Sequence, residues 1–208
     1  MFISFEGGEG AGKTTQIALL QSKLQAAGRD VIITREPGGT PEAEKLRNLL
    51  VQRDGGNWTP TAEAMLFFTG RHMHWHTKIK PALDNGQVVI TDRFTVSTVA
   101  HQGYGHRFDL SVLNNIKHLA IGDVEPHVTF IMDIPVNEGL ARAGKRMSDS
   151  NDGTTEDRFE RIGTEFHERL RQGYLTIARE NPKRCHVIDA RQTVDDIHTQ
   201  ILNILGLS

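Results

Sequence analysis

The chain reads as an α/β protein, a mostly parallel, doubly wound sheet between two layers of helices. Two observations lead there. Five short apolar runs alternate with stretches of helical period. The runs also lack a polar alternate face, as strands covered by helices on both sides should. They fall at 2–5, 31–34, 88–92, 128–133 and 186–189. Helical period marks 13–27, 41–53, 61–83, 109–121, 135–146, 155–180 and 193–205. Asp109 and Pro135 act as start signals there, and Gly28 and Gly122 as stop signals. Strands and helices in this order connect by right-handed crossovers.

The 208 residues suit one domain, 1–208, with enough chain to bury a sizeable core. Hydrophobic residues make up 38% and charged residues 24%, an ordinary globular balance. A formal charge of −2 provides no broad basic field, which argues against a nucleic acid polymer as partner. The single cysteine, Cys185, has no internal partner for a disulfide and reads as strand core. No apolar run nears the roughly 18 residues of a membrane span. Strand-like residues begin at Phe2, where a leader would show another pattern. The expectation is a cytoplasmic protein without a membrane partner.

Gly7-Gly8-Glu9-Gly10-Ala11-Gly12-Lys13-Thr14 fits G-x-x-x-x-G-K-[ST], between the first strand and the first helix. Glycines let successive backbone N–H groups converge on phosphate oxygens, and the helix N-terminus adds positive potential. Lys13 then reaches the transferred phosphate, and the Thr14 hydroxyl is placed to ligate Mg²⁺. A second carboxylate is expected at a neighbouring strand end. Asp92 and Asp133 both qualify, and Asp92 is preferred because Arg93 follows it. No N-K-x-D or D-x-x-G motif marks a regulatory GTPase. Arginines gather instead at Arg35 and Arg47, at Arg71 and Arg93, and at Arg142, Arg146 and Arg158. Phosphoryl transfer between two polyanions needs cations spread over both.

Three blocks carry a resemblance. The stretch from Glu6 through Thr15, then Thr34-Arg35-Glu36-Pro37-Gly38-Gly39-Thr40, then Asp92-Arg93-Phe94 resemble bacterial thymidylate kinases in order and spacing. The resemblance covers nearly the whole chain. It implies the three-layer P-loop NTPase fold with a five-stranded parallel sheet, ATP as co-substrate with Mg²⁺, and a homodimer. It also implies transfer of the γ-phosphoryl group to dTMP. The rival readings are a kinase for another monophosphate or a deoxynucleoside, and an ATP-dependent switch module.

The resemblance also distributes roles. Gly7 to Thr15 hold ATP, with Thr14 and Asp92 on the metal. Phe67 stacks on thymine, and Arg71, four residues on and so on the same helix face, bonds thymine O4, while Phe68 is core. Arg93 clamps the acceptor phosphate, and Arg35 and Arg47 are weaker candidates nearby. Arg35 reads equally as a structural ion pair. Glu36 lies in the substrate loop, and Thr98 and Gln102 are polar contacts on the following helix. His101 stands where bacterial relatives usually carry Tyr. The loop positions Glu9, Gly10 and Ala11 are not basic, so a lid at about 142–160 must deliver the catalytic charge. Arg146 is first choice there, with Arg142 nearer adenine and Arg158 bracing the lid. The polar tip at 147–155 interrupts a helical region. His72 and His76 share a helix face, but two ligands make an incomplete metal site.

Overall fold

The computed structural model describes residues 1–53, 55–149, 158–159 and 161–207, without the side chains at 146, 147 and 149. Five strands, β1 (Phe2–Gly7), β2 (Val31–Arg35), β3 (Val88–Asp92), β4 (Val128–Asp133) and β5 (Cys185–Asp189), form one parallel sheet in the order β2-β3-β1-β4-β5. Central β1 is buried along its whole length, so alternate side chains serve opposite cores. Ile3 and Phe5 pack with Ile17, Leu20 and Leu24 of α1 (Lys13–Ala26) and Ile197 and Ile201 of α9 (Val194–Leu205). Phe2 faces the other way, with Val89, Phe94 and Ile79. Each such side chain taken from water contributes about 1.5–3 kcal/mol, which makes this strand the anchor of both layers.

The remaining helices are α2 (Pro41–Val51), α3 (Pro60–His74), α4 (Lys80–Asp84), α5 (Thr95–Thr98), α6 (Leu110–Ile121), α7 (Val136–Asp149) and α8 (Thr164–Glu180). Thr40 and Thr59 cap α2 and α3 with their hydroxyls, each with proline in the first turn. Three differences from the sequence reading matter. The stretch 61–83 is not uniform: α3 passes through a π-helical segment, Trp75–Ile79, into α4. Residues 95–105 form the helix expected around Thr98 and Gln102, but only its start, α5, is α-helical, and Val99–Gly105 is π-helical. Their Thr-Val-Ser-Thr-Val run is β-rich, yet tertiary burial overrides propensity. Finally, α8 begins at Thr164 instead of 155, because Arg158 turns away to bond the C-terminal carbonyls of α2.

Candidate active site

β1 ends at Gly7, and the loop that follows is shaped by glycines at positive φ, Gly10 and Gly12 among them. Gly10 is required by close approach, since a Cβ there would stand 2.2 Å from the Gly139 carbonyl. Loop and α7 can touch only with both Cβ atoms missing. Lys13 is buried, donating to the carbonyls of Gly7 (3.2 Å) and Gly8 (2.9 Å). Burial, with Arg93 nearby, lowers its pKa from the usual lysine value. Thr14 opens α1 beside the end of β3, where its hydroxyl lies 3.5 Å from Asp92 Oδ2. Parallel register sets Asp92 opposite Phe5 and Arg35, beside the loop. Asp92 Oδ1 is buried with no protein partner among the described residues. Asp133, the other strand-end carboxylate, is held by both arms of Arg171 at 2.7 and 2.8 Å. Of the two strand-end aspartates, Asp92 is the one with an oxygen beside the loop that is unpartnered among the described residues.

Arg93 adopts φ 72°, the left-handed region that a non-glycine residue seldom enters. Buried Glu6 maintains the turn, accepting from Phe94 N (2.9 Å) and the Ser97 hydroxyl (2.5 Å). The Arg93 guanidinium gives hydrogen bonds to Gly7 O, Ser97 Oγ and Tyr174 Oη and pairs with Glu9. Burial raises the Glu6 carboxyl to about 7 against its partners, and raises the Tyr174 phenol as well. Glu6, Ser97 and Tyr174 escaped the sequence reading. A charged residue inside the apolar run Phe-Ile-Ser-Phe-Glu was the one available signal, and only for Glu6.

The loop, Asp92 and Arg93 line one end of a cavity of about 1090 Å³. Its other end brings together Phe67, Arg71, Thr98, His101, Gln102 and Phe159. Arg71 is buried and gives three hydrogen bonds: Nε to Glu36 Oε2 (2.6 Å), Nη1 to Thr98 Oγ1 (3.0 Å) and Nη2 to Phe94 O (3.1 Å). Gln102 Nε2 donates to Glu63 at 2.8 Å, while its Oε1 is buried and unpartnered among the described residues. The His101 Nδ1–H gives a bond to Ser97 O, and burial beside Arg93 pushes the imidazole down to about 3. Phe159, unforeseen in the sequence, faces Phe67 at 6.3 Å and His101 at 5.5 Å, centroid to centroid. Arg47 reaches the substrate loop at Pro37 O, and Arg35 forms an exposed ion pair with Glu44. Phe68 is core, as expected.

The thymidylate kinase family model matches residues 5–201. The chain belongs to the thymidylate kinase family. It is 46% identical to a thymidylate kinase of Caulobacter vibrioides over 98% of this chain and 95% of the relative. Identity to one of Syntrophotalea carbinolica is 44% over 94% of this chain and 90% of the relative. A crystal structure of thymidylate kinase from Ehrlichia chaffeensis superposes with a TM-score of 0.76 at 37% identity, covering 99% of this chain and 98% of that one.

For a thymidylate kinase family member with no arginine in its loop, the placement of the lid arginines matters most. Arg158, expected to brace the lid, lies at the acceptor end. Its Nη2 pairs with buried Glu63 at 2.6 Å and its Nη1 gives a hydrogen bond to Leu50 O, so it braces the acceptor end and does not reach the phosphate loop. Without that cation the buried Glu63 carboxylate would be left short of a charge partner, which is costly. Arg142, on α7 beside the loop, gives a hydrogen bond to Ala190 O (3.0 Å), just after β5. The Arg146 side chain and most of the 147–155 tip lie outside the described residues. His72 and His76 stack at 4.4 Å, and no group of three or more His, Cys, Asp or Glu among the described residues is set to hold a metal.

Proposed function

We propose that the chain moves the γ-phosphoryl group of ATP onto dTMP, giving dTDP and ADP for dTTP synthesis, with the residues above in these roles. ATP lies along Gly7 to Thr15, with Lys13 on its phosphates and Arg142 toward adenine. The acceptor phosphate meets Arg93 and Arg47, and the base lies between Phe67 and Phe159. The observation that carries the choice of base is the polarity of Arg71 and Gln102. Arg71 presents donors to the cavity. Gln102 presents an acceptor, because its amide nitrogen is committed to the acceptor-only carboxylate of Glu63. Thymine offers the complement, an O4 acceptor and an N3–H donor. Cytosine offers an exocyclic amine and an unprotonated N3, the reverse pattern.

Mg²⁺ fits the nucleotide end. Hard cations take oxygen ligands, and the Thr14 hydroxyl with the orphaned Asp92 Oδ1 supplies them. When bound, the ion neutralises charge on the phosphate oxygens. The acceptor is already an anion, so alignment and electrostatics perform the reaction without a strong general base. Arg146 is the lid residue proposed for the transferring phosphoryl group, since Arg158 and Arg142 have other partners. The enzyme works in the cytoplasm as a homodimer joined through α3 and α6. Their outer faces expose Met65, Leu110, Val112 and Leu119.

A coupled ADP-release assay against a panel of nucleoside monophosphates tests this reading. Turnover that depends strongly on dTMP and ignores cytidine monophosphate is expected. Slow ATP hydrolysis indifferent to the panel would mean a switch protein.

A further inference from the structure

Behind Arg71 runs a line of buried polar groups that phosphoryl transfer does not use. His74, in the last turn of α3, is wholly buried and does not line the cavity. Its Nδ1 lies 2.9 Å from Glu36 Oε1, and its Nε2 lies 2.6 Å from Thr34 Oγ1 at the end of β2. The other Glu36 oxygen accepts from Arg71 Nε. A carboxylate only accepts, so the His74 Nδ1 carries the hydrogen in that bond. Gly39 packs closely on the line, since an added Cβ would stand 2.5 Å from His74 Nε2 and 2.7 Å from Thr34 Oγ1. Gly39 itself has φ 90°, so a larger residue is excluded twice over.

We infer that His74 is a positioning residue for base recognition: its Nδ1–H fixes one Glu36 oxygen so that the other holds the Arg71 guanidinium aimed into the acceptor cavity. A guanidinium has five hydrogens. Glu36, Thr98 and Phe94 take three of them, and the two left, one on each Nη, are those available to the base. Arg71 is long and flexible. Holding it before the ligand arrives spares the entropy of ordering it on binding. A buried carboxylate that lost one of its two partners would move to satisfy itself and take Arg71 with it. The inference rests on the reading that Arg71 contacts the acceptor base.

Two substitutions separate the two arms of the imidazole. The amide nitrogen of asparagine overlies Nδ1, and that of glutamine overlies Nε2. His74→Asn therefore keeps the donor to Glu36 and gives up Thr34, whereas His74→Gln does the opposite. The expected result is that His74→Gln raises KM for dTMP about tenfold, with kcat and KM for ATP within about twofold, while His74→Asn restores KM to within about threefold of the parent. A role confined to tying α3 to β2 would move thermal stability without this split. Equal KM for the two variants, or a worse KM for Asn, overturns the inference. If His74→Gln does not fold, Glu36→Gln breaks the same link, and an unchanged dTMP KM in that variant also overturns it. Arg71→Lys is measured alongside. An unchanged dTMP KM there refutes the base-reading role itself and removes this inference with it. A raised KM there, with the Asn and Gln variants alike, overturns the His74 inference alone.

Discussion

Lys13 shows how one residue can be buried without belonging to the core. Its ammonium gives hydrogen bonds to two loop carbonyls, so its charge is held at the loop. Lys13→Ala should lower kcat by about 10²-fold or more, with little change in the unfolding midpoint. Near-normal turnover in the folded variant would refute the role given to the loop. His101 permits a test by pH. Its folded pKa, about 3, lies below the ordinary value of 6.5, so the unfolded chain binds a proton that the folded chain refuses. The linked stability is complete at neutral pH and is lost as pH falls through that window, by up to about 1.4 kcal/mol per pH unit. His101→Phe should flatten this part of the slope in urea unfolding between about pH 7.5 and about pH 4.5. An unchanged slope would show that the ring takes up a proton in the folded protein.

At the scale of elements, the two ends of the lid segment part company. α7 leans on the phosphate loop through the Gly10 and Gly139 contact. Arg158 and Phe159 are fastened to α2 and α3 at the acceptor end. Each end should therefore report on a different kinetic constant. Arg146→Ala is expected to lower the single-turnover rate by about 10³-fold with dTMP affinity little changed. Arg158→Ala should raise KM for dTMP by loosening Phe159, and should destabilise the fold by about 1–3 kcal/mol as Glu63 loses its cation. If Arg158→Ala cripples the single-turnover rate and Arg146→Ala is harmless, the catalytic charge comes from the far side of the tip. The π-helical segments at Trp75–Ile79 and Val99–Gly105 follow directly on the helices bearing Arg71 and Thr98, and such bulges often accompany functional sites.

For the whole molecule, the proposed dimer follows from apolar side chains that the fold leaves uncovered. Leu119 is 87% and Met65 54% exposed, while α3 and α6 pack on each other through Ala64, Phe68 and Leu113. The pair thus forms a firm surface with an apolar outer side. Sedimentation should find twice the chain mass, and Leu119→Glu should shift it toward the monomer, because a buried unpaired charge is costly. A parent protein that sediments as a monomer at micromolar concentration would exclude the assembly. No helix among the described residues is long and apolar enough to cross a membrane.

What could be read along the chain was whatever neighbouring residues accomplish together. The phosphate loop is eight consecutive residues whose glycines set their own backbone path, and Phe67 and Arg71 share a face through helix geometry alone. The five strands follow from the same kind of local signal, whereas their order, β2-β3-β1-β4-β5, was set by folding. Folding alone decided the contacts between distant segments. Tyr174 reaches Arg93 across 81 positions, and His74 reaches Glu36 across 38. It also separated Asp92 from Asp133, since Arg171 comes from a helix whose packing no strand-end pattern contains. The partner of Arg158 was hidden for the same reason. A charge in a polar segment looks solvated in sequence, and only the three-dimensional chain shows the buried carboxylate of Glu63 that draws it inward.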